Sequence, residues 1–231
     1  MNTALLTIDD IPSRNTPAIV DYLNRKGIKA ILFATGQNLE RYYEQALYAL
    51  EHGMIVGNHS YSHPAFSALT LEACVEEIER CEALLDRLYR DSGVERSFRP
   101  FRFPYGDKGG QNKAALQAYL RAKKFDKVDD THIPYSWWRE HQLHTDIDTF
   151  WTFDFEEYRM QHDPTFTKES IWAKMHTTNP TSGASLLGEN QRHILLMHAH
   201  DETEEILPGY YKILLDHLLA CGVIFDEPRF L

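Results

Sequence analysis

The sequence predicts an α/β domain in which helices cover a parallel sheet. Short apolar and β-branched runs alternate with amphipathic segments along the whole chain, a pattern typical of βα units. The chain has 231 residues, of which 43% are hydrophobic, enough for one large core. No linker, repeat or low-complexity tract divides it, so we expect a single domain over residues 1–231. The alternation alone is compatible with a closed barrel and with an open, doubly wound sheet.

The first predicted strand, Leu5-Leu6-Thr7-Ile8, ends in the adjacent carboxylates Asp9 and Asp10. Pro12 cannot continue a strand ladder, so the strand stops there. Further extended segments are predicted at residues 29–34, 54–56, 97–103, 150–155, 193–197 and 222–225. Apolar residues at helical spacing predict helices at residues 16–26, 38–52, 71–89, 112–123, 167–176 and 210–220.

Helix boundaries and loops are marked by particular residues. Gly27 follows the first predicted helix as a C-terminal stop, and Thr70 precedes the long helix as an N-cap. A stretch at about 128–148 has little periodicity and is expected to be an insertion. A polar loop is predicted at residues 179–183.

Composition excludes several classes of partner. The formal net charge of −10 argues against nucleic acid or an anionic membrane as the main partner. No apolar run reaches the length of a membrane span, and no secretory signal opens the sequence. We therefore expect a cytoplasmic protein, unless a leader has been removed from a secreted one.

Cys74, Cys81 and Cys221 form no C-x-x-C pair, so we expect reduced thiols, not a zinc–cysteine site. The sequence predicts no oligomeric state.

Residues that carry chemistry follow the predicted strands. Two adjacent acids at the end of a strand are unfavourable when buried, unless a metal, a cation or a proton offsets their repulsion. Candidates for these partners follow other strands: His59, His63, Arg102, Asp154, Glu157, His198 and His200. Because parallel strands bring their C-terminal ends to one edge, where active sites form, we expect these residues to meet.

The spacing of His59 and His63 favours a metal site. Four residues make about one helical turn, so both imidazoles can face one point. A carboxylate from elsewhere would complete a His-His-Asp set with an open position for water. Structural interpretations stand beside this one: histidines in a loop, the acids as a turn or cap, and Arg102 as a surface cation.

Five motifs, taken in order, resemble those of the polysaccharide deacetylases of the NodB-homology type, carbohydrate esterase family 4. They are Thr7-Ile8-Asp9-Asp10, His59-Ser60-Tyr61-Ser62-His63, Arg102-Phe103-Pro104-Tyr105-Gly106, Trp151-Thr152-Phe153-Asp154-Phe155-Glu156-Glu157-Tyr158 and Leu195-Leu196-Met197-His198. The resemblance covers nearly the whole chain. It implies a distorted (β/α) barrel of seven or eight strands and a metal-dependent hydrolase that removes N-acetyl groups from an amino-sugar polymer or oligosaccharide.

The resemblance also implies a ligand set and a base. Asp10, His59 and His63 would hold one divalent metal ion. Asp9 would be the general base, and Arg102 beside it would keep it ionised. Zinc is the expected ion because these ligands are borderline-soft, with cobalt, nickel, manganese and iron as alternatives.

By the same resemblance, His198 would be the general acid, with His200 as a rival. Either Asp154 or Glu157 would orient the acid, with Glu157 slightly favoured. The backbone N–H of Tyr105 would bind the oxyanion of the tetrahedral intermediate.

Aromatic residues are candidates for binding the substrate. Phe103 stands where the family usually has proline and is expected to line the pocket, as are Tyr105 and Tyr158. Trp137 and Trp138, in the 128–148 segment, predict a sugar-stacking platform or, alternatively, a surface loop pinned by two buried rings.

Three functions remain open at this point. The leading one is N-deacetylation of an acetylated amino sugar. The same site could instead hydrolyse a small N-acyl or ureido compound or an O-acetyl ester. A barrel that binds sugar or metal without turnover is the non-enzymatic alternative.

Overall fold

The computed structural model of the chain describes residues 1–177 and 185–231. Six strands of these ranges form one sheet in which all pairs are parallel. The strands are β1 Thr3–Ile11, β2 Ala30–Ala34, β3 Ile55–Asn58, β4 Phe153–Asp154, β5 Arg192–His198 and β6 Ile224–Phe225. Their order is β3-β2-β1-β5-β4, and β6 pairs with the start of β1. The predicted α/β class with a parallel sheet is confirmed, with β1 at its centre.

Two contacts continue the sheet into a distorted barrel. Asn58, at the end of β3, forms a parallel bridge with Phe101. The Phe101 carbonyl accepts the N–H of Thr149 at 2.7 Å, and Thr149 lies shortly before β4. The ring therefore runs from β1 through β2, β3, Phe101 and Thr149 to β4, β5 and back to β1. Within the described ranges, six strands and the Phe101 bridge stand where seven or eight strands were expected.

Helices cover the outside of this ring. In the described ranges they are α1 Thr16–Lys26, α2 Gly36–Arg41, α3 Tyr43–Glu51, α4 Leu71–Ser92, α5 Lys113–Ala122, α6 Ser136–Glu140, α7 Lys168–Met175, α8 Asp201–Ile206 and α9 Tyr210–Ala220. The predicted helix 38–52 is two helices, because the backbone leaves the helical region at Tyr42 (φ −129°, ψ 48°). The Thr70 hydroxyl caps α4 by accepting the N–H of Ala73. None of the helices described here is long and apolar enough to cross a membrane.

Alternation along the strands separates an outer core from the barrel interior. In β1, Leu6 and Ile8 pack into the large core beneath the helices. Leu5 instead belongs to an inner cluster, whose buried members are Leu5, Ile31, Phe33, Val128, Ile133, Trp138, Leu143 and Ile194. Side chains alternate along a strand, so Thr7 and Asp9 continue the inward series of Leu5. The carboxylate of Asp9 is thereby placed at the mouth of the barrel.

The 128–148 segment packs against the opposite end of the barrel. Trp138 is 2% exposed, and its Nε1 donates to Asp130 at 2.9 Å. Trp137 and Trp138 pack in the inner cluster with Leu5, which lies about 13 Å before Asp9 along the strand. The predicted sugar platform is therefore wrong: these rings pin the segment to the barrel, as the alternative interpretation expects.

Other predicted features differ in extent. The strand expected at 150–155 has the bounds Phe153–Asp154, and the 97–103 segment contributes a single bridge. Cys74 and Cys81 are buried, as expected for core thiols, whereas Cys221 is exposed at the end of α9. The polar loop predicted at 179–183 lies outside the described residues.

Phe103 does not line a pocket. It is fully buried between Phe66 and Phe101, with ring centroids 5.1 and 4.7 Å away, respectively. The backbone is extended at Phe103, so its side chain and that of Arg102 point to opposite sides of the segment. Arg102 occupies the barrel interior, and Phe103 consequently packs outside it. The prediction that Phe103 lines the pocket is wrong.

Replacing Phe103 with alanine tests this placement. The substitution leaves a cavity between two phenylalanine rings, so we expect the free energy of unfolding to fall by about 3–5 kcal/mol in a urea titration. Phe98→Ala is the matched control, because Phe98 is 38% exposed and stacks only against Phe230 within the described contacts. Equal losses in the two variants would contradict a core position for Phe103.

Candidate active site

The C-terminal ends of the barrel strands surround a pocket of about 600 Å³. Its walls collect residues that are distant in the sequence: Asp9, Asp10, His59, His63, Tyr105, Trp151, Asp154, Tyr158, His162, Leu196, His198 and His200. Most of them follow strands, which is where the sequence predicts the chemistry. The parallel register explains the meeting directly, because Asp9 of β1 lies opposite His198 of β5.

Three side chains on one side of the pocket form a set that can hold a metal ion. One ligand atom from each of Asp10, His59 and His63 lies within 4.8 Å of the other two. His59 Nδ1 lies 2.8 Å from the carbonyl oxygen of Arg102, which can only accept, so Nδ1 carries the proton. The lone pair is therefore on Nε2, which faces the acids. A histidine fixed in this tautomer by a backbone carbonyl is typical of metal ligands.

A buried asparagine shapes the loop that carries both histidines. The Asn58 amide donates to the carbonyl of Ile78 and to Glu82, at 3.0 and 2.9 Å. Its oxygen accepts the N–H of Ser60 at 2.8 Å, and the Ser60 hydroxyl accepts the N–H of His63 at 3.2 Å. These bonds hold the turn from β3, so the spacing of the histidines becomes a fixed geometry.

The protonation states of this set suit a divalent cation. Burial lowers the pKa of His63 to about 4, so its imidazole is neutral at pH 7. Burial alone would raise the pKa of Asp10, but the hydrogen bond from His200 and the positive charges that the nearby histidines carry when protonated bring it well below its usual range. A neutral imidazole and an ionised carboxylate are the forms that bind metal. The residues present therefore fit the ion.

Asp9 has a different partner from Asp10. Its Oδ1 accepts from Arg102 Nη1 at 2.7 Å, and its Oδ2 lies 3.3 Å from His59 Nε2. Arg102 is fully buried, and the same Nη1 donates to the Thr7 hydroxyl at 2.7 Å. Arg102 Nε donates to the carbonyl of Thr149 at 3.0 Å. One oxygen of Asp9 is thus bound to a fixed cation, and the other faces the ligand set.

His198 lies across the pocket and is held by Glu157. Oε1 of Glu157 accepts the backbone N–H of His198 and lies 3.3 Å from its Nδ1. Burial alone would lower the pKa of His198, but the charge and hydrogen bond of the fully buried Glu157 raise it to about 10. His198 is therefore a cation at neutral pH, with Nε2 left for the pocket.

Asp154, the other candidate to orient the acid, takes a separate place. Its Oδ1 accepts the N–H of Glu156 at 2.8 Å, and burial raises its pKa to about 6. Among the described residues, Glu157 makes the hydrogen bond to His198 and Asp154 contributes only its charge. The geometry therefore favours Glu157 as the partner.

His200 lies on the side of the metal ligands. Its Nε2 is 2.8 Å from Oδ2 of Asp10, whereas His198 is paired with Glu157. The geometry favours His198 over His200 as the acid, because only His198 is paired with a buried carboxylate on the far side of the pocket.

The model of one protein family, described as polysaccharide deacetylase, matches residues 1–123 of the chain. This match spans more than half of the 231 residues and includes the acid pair, both histidines and Arg102. The chain belongs to the polysaccharide deacetylase family.

Curated relatives cover part of the chain. It is 34% identical over 103 residues to a peptidoglycan-N-acetylglucosamine deacetylase of Bacillus cereus, covering 44% of this chain and 36% of that protein. It is 36% identical over 104 residues to chitin deacetylase 1 of Cryptococcus neoformans var. grubii, covering 44% and 21%. The matches thus span about a third or less of the relatives' length.

Solved structures with the same fold cover nearly all of the chain. A family 4 carbohydrate esterase from Streptomyces lividans, in complex with acetate, aligns with a TM-score of 0.63 at 21% identity, covering 97% of this chain and 92% of that one. A mutant of a CE4 family pseudoenzyme aligns with a TM-score of 0.63 at 17% identity, covering 98% and 65%. The likeness confirms the NodB-type fold. Since the fold occurs in a pseudoenzyme, activity has to be inferred from the residues of the site.

Deacetylases of this family are metal-dependent, and the chain has Asp and His groups that can bind a metal.

The structure adds residues that sequence reasoning missed. Trp151, stacked on Phe150 at 4.3 Å, forms part of the pocket wall, together with Leu196 and His162. Trp151 is the first residue of the fourth motif, and this membership was the available signal.

The two tyrosines predicted to bind substrate do reach the pocket. Tyr105 is 70% exposed, has a φ of 58° and packs edge-on against His63 at 4.5 Å. Tyr158 packs edge-on against His198 at 4.8 Å. The aromatic walls of the pocket are thus Trp151, Tyr105 and Tyr158, without Trp137, Trp138 or Phe103.

Elemental analysis of the purified, zinc-loaded protein tests the ligand set. We expect about one divalent ion per chain, and its loss in both Asp10→Ala and His63→Ala, because three protein ligands are needed for tight binding. His141→Ala is the control, since His141 is exposed at the end of α6. Unchanged metal content in the Asp10 and His63 variants would place the ion elsewhere.

Titration of the His198 imidazole by NMR in the metal-free protein tests its pairing with Glu157. Glu157→Gln removes the buried charge, so we expect the pKa of His198 to fall well below about 10. Asp154→Asn should lower it less, because Asp154 makes no hydrogen bond to the ring among the described contacts. An unchanged titration in Glu157→Gln would contradict the pairing.

The pairing also predicts a pH dependence of stability. The pKa of His198 is higher in the folded than in the unfolded chain, so its stabilising contribution is complete below pH 6.5 and is lost as the pH rises towards 10. Glu157→Gln should remove this part of the dependence in denaturant titrations.

Proposed function

We propose that the chain is a metal-dependent N-deacetylase of acetylated amino-sugar chains. One observation carries the proposal. A single pocket holds a ligand set for a divalent ion, a carboxylate fixed by a buried arginine, and a charged histidine on the far side. Together they can supply the activated water, the base and the acid for hydrolysis of an amide.

The metal ion would be held by Asp10, His59 and His63, with zinc as the ion that best fits two imidazoles and a carboxylate. When bound, it supplies polarisation of the substrate carbonyl and a lower pKa for the attacking water. Asp10 lies beside the histidines and Asp9 is bound by Arg102, and these contacts separate the ligand from the base.

Asp9 accepts the proton of the attacking water. Its Oδ1 is occupied by Arg102 at 2.7 Å, so Oδ2, which lies 3.3 Å from His59 Nε2, is the oxygen available on the ligand side. The Arg102 guanidinium offsets the cost of burying a charge at this position. Asp9 therefore has one oxygen bound to a cation and the other free to take a proton.

His198 donates a proton to the nitrogen that leaves. An amine is a poor leaving group unless it is protonated, and a histidine held as a cation can supply the proton. Because Nδ1 faces Glu157, the proton is delivered from Nε2 into the pocket. The backbone N–H of Tyr105, at a loop position with a φ of 58°, is the proposed donor to the oxyanion.

The shape and walls of the pocket support a sugar as the substrate. A volume of about 600 Å³ accommodates a sugar ring with its acetamide group. Trp151, Tyr105 and Tyr158 offer aromatic faces or edges for the apolar side of such a ring. The relatives named as peptidoglycan-N-acetylglucosamine and chitin deacetylases support the same class.

Acetate release from chitooligosaccharides, from peptidoglycan and from small N-acetyl amides tests the proposal and its alternatives. We expect release from at least one amino-sugar substrate. Asp9→Asn should lower kcat by about 10²- to 10⁴-fold, because it removes the base. Metal content should stay unchanged in this variant, and His141→Ala should behave as wild type.

The acid can be tested separately with two leaving groups. His198→Ala should abolish most amide hydrolysis but leave hydrolysis of p-nitrophenyl acetate nearly intact, because nitrophenolate leaves without a proton. Turnover of small amides or O-acetyl esters without any sugar would favour the alternative substrates. A metal-loaded protein that releases no acetate from any of them would make the barrel a binding module.

A further inference from the structure

His200 makes a contact that the proposed mechanism does not use. Its Nε2 lies 2.8 Å from Oδ2 of Asp10, across 190 residues of sequence. His200 immediately precedes α8, two residues after the proposed acid His198. It is half-buried in the pocket wall and contacts Oδ2 of Asp10, whereas the two ligand histidines lie near Oδ1.

A second hydrogen bond fixes the tautomer of His200. Gln161 Nε2 lies 3.1 Å from His200 Nδ1 and donates as well to the Thr203 hydroxyl at 3.0 Å. An amide nitrogen only donates, so Nδ1 of His200 is the acceptor and the ring proton is on Nε2. Nε2–H therefore donates to Asp10. The series of hydrogen bonds Thr203–Gln161–His200 ends on a carboxylate oxygen of the proposed metal site.

This series of hydrogen bonds gives the two oxygens of Asp10 different partners. Oδ2 is taken by His200, while Oδ1 lies 3.5 Å from His63 Nε2 and 3.9 Å from His59 Nε2. The Asp10 backbone is held too, because its carbonyl accepts from the Asn38 amide at 2.8 Å. One oxygen is thereby directed at the imidazoles before any ion arrives.

We propose that His200 is a positioning residue for the metal site: oriented by Gln161, it holds Asp10 so that a single carboxylate oxygen is presented to the ion together with His59 and His63. The inference rests on the proposed function, in which these three residues hold a divalent ion. It assigns His200 neither the role of acid nor that of ligand.

Both other roles conflict with the contacts of His200. A ligand nitrogen needs a free lone pair, and Nε2 carries the proton while Nδ1 accepts from Gln161. A general acid needs a partner that keeps it charged, which His198 has in Glu157. Removing a hydrogen bond to a residue that binds a metal typically lowers metal affinity about 10- to 100-fold.

Zinc affinity of the metal-free protein, measured by competition with a chromophoric chelator, tests the proposal. We expect His200→Ala to weaken zinc binding by about 10- to 100-fold. His200→Gln keeps an N–H donor at a comparable reach and should recover most of the affinity. Gln161→Leu leaves the imidazole in place but frees its tautomer, so it should weaken zinc binding less than His200→Ala. His141→Ala should bind zinc as wild type does.

The possible results separate this inference from the proposed function. Wild-type protein that binds no zinc refutes the metal site and, with it, both proposals. Wild-type protein that binds zinc, with equal affinity in His200→Ala and Gln161→Leu, refutes the positioning role alone. If His200→Ala does not fold, His200→Gln and Gln161→Leu decide: retained affinity in the first with weakened affinity in the second supports the role, and any other pattern refutes it.

X-ray absorption of the cobalt-loaded protein distinguishes a positioning role of His200 from a role as a metal ligand. We expect the two imidazole ligands of His59 and His63 in wild type and in His200→Gln. Three imidazoles in wild type, falling to two in His200→Gln, would make His200 a ligand and overturn the proposal.

Discussion

The buried ion pair between Arg102 and Asp9 is the contact on which the rest of the site depends. The guanidinium lies inside the barrel and binds Asp9 and Thr7 of β1 and the carbonyl of Thr149. The backbone carbonyl of the same residue fixes the tautomer of His59. One residue therefore ties the central strand to the far wall of the barrel, orients a ligand and binds one oxygen of the proposed base. A buried charge left without its partner destabilises a fold by several kcal/mol, so stability and function select the same pair.

The two neighbouring acids differ in function because their backbones differ. Asp9 still follows the pleat of β1 and points inward with Leu5 and Thr7, which brings it to Arg102. Asp10 has a φ of 63°, outside the strand conformation, and so turns towards the histidines instead of the outer core. Two carboxylates in sequence could not both be buried beside one cation without strong repulsion. The break in the pleat gives each acid its own counter-charge.

The sequence was sufficient for the fold class and for most of the site, for a reason that can be stated physically. Apolar runs that end in polar residues locate strand ends, and parallel strands place those ends together, so Asp9, Asp10, His59 and His198 meet in the structure. The error at Phe103 arose because the sequence does not show to which side of an extended segment a side chain points. Phe103 and Arg102 are adjacent, and nothing in their types tells which one faces inward.

His198 and His200 are separated by one residue, yet they have different partners. Nδ1 of His198 faces the buried carboxylate of Glu157, whereas Nδ1 of His200 accepts from the Gln161 amide and its Nε2–H donates to Asp10. The two ring centroids are only 5.3 Å apart, so it is the hydrogen-bond partners, and not distance, that give the rings different roles. Glu157 leaves Nε2 of His198 for the leaving group, and Gln161 directs Nε2 of His200 to the proposed metal ligand.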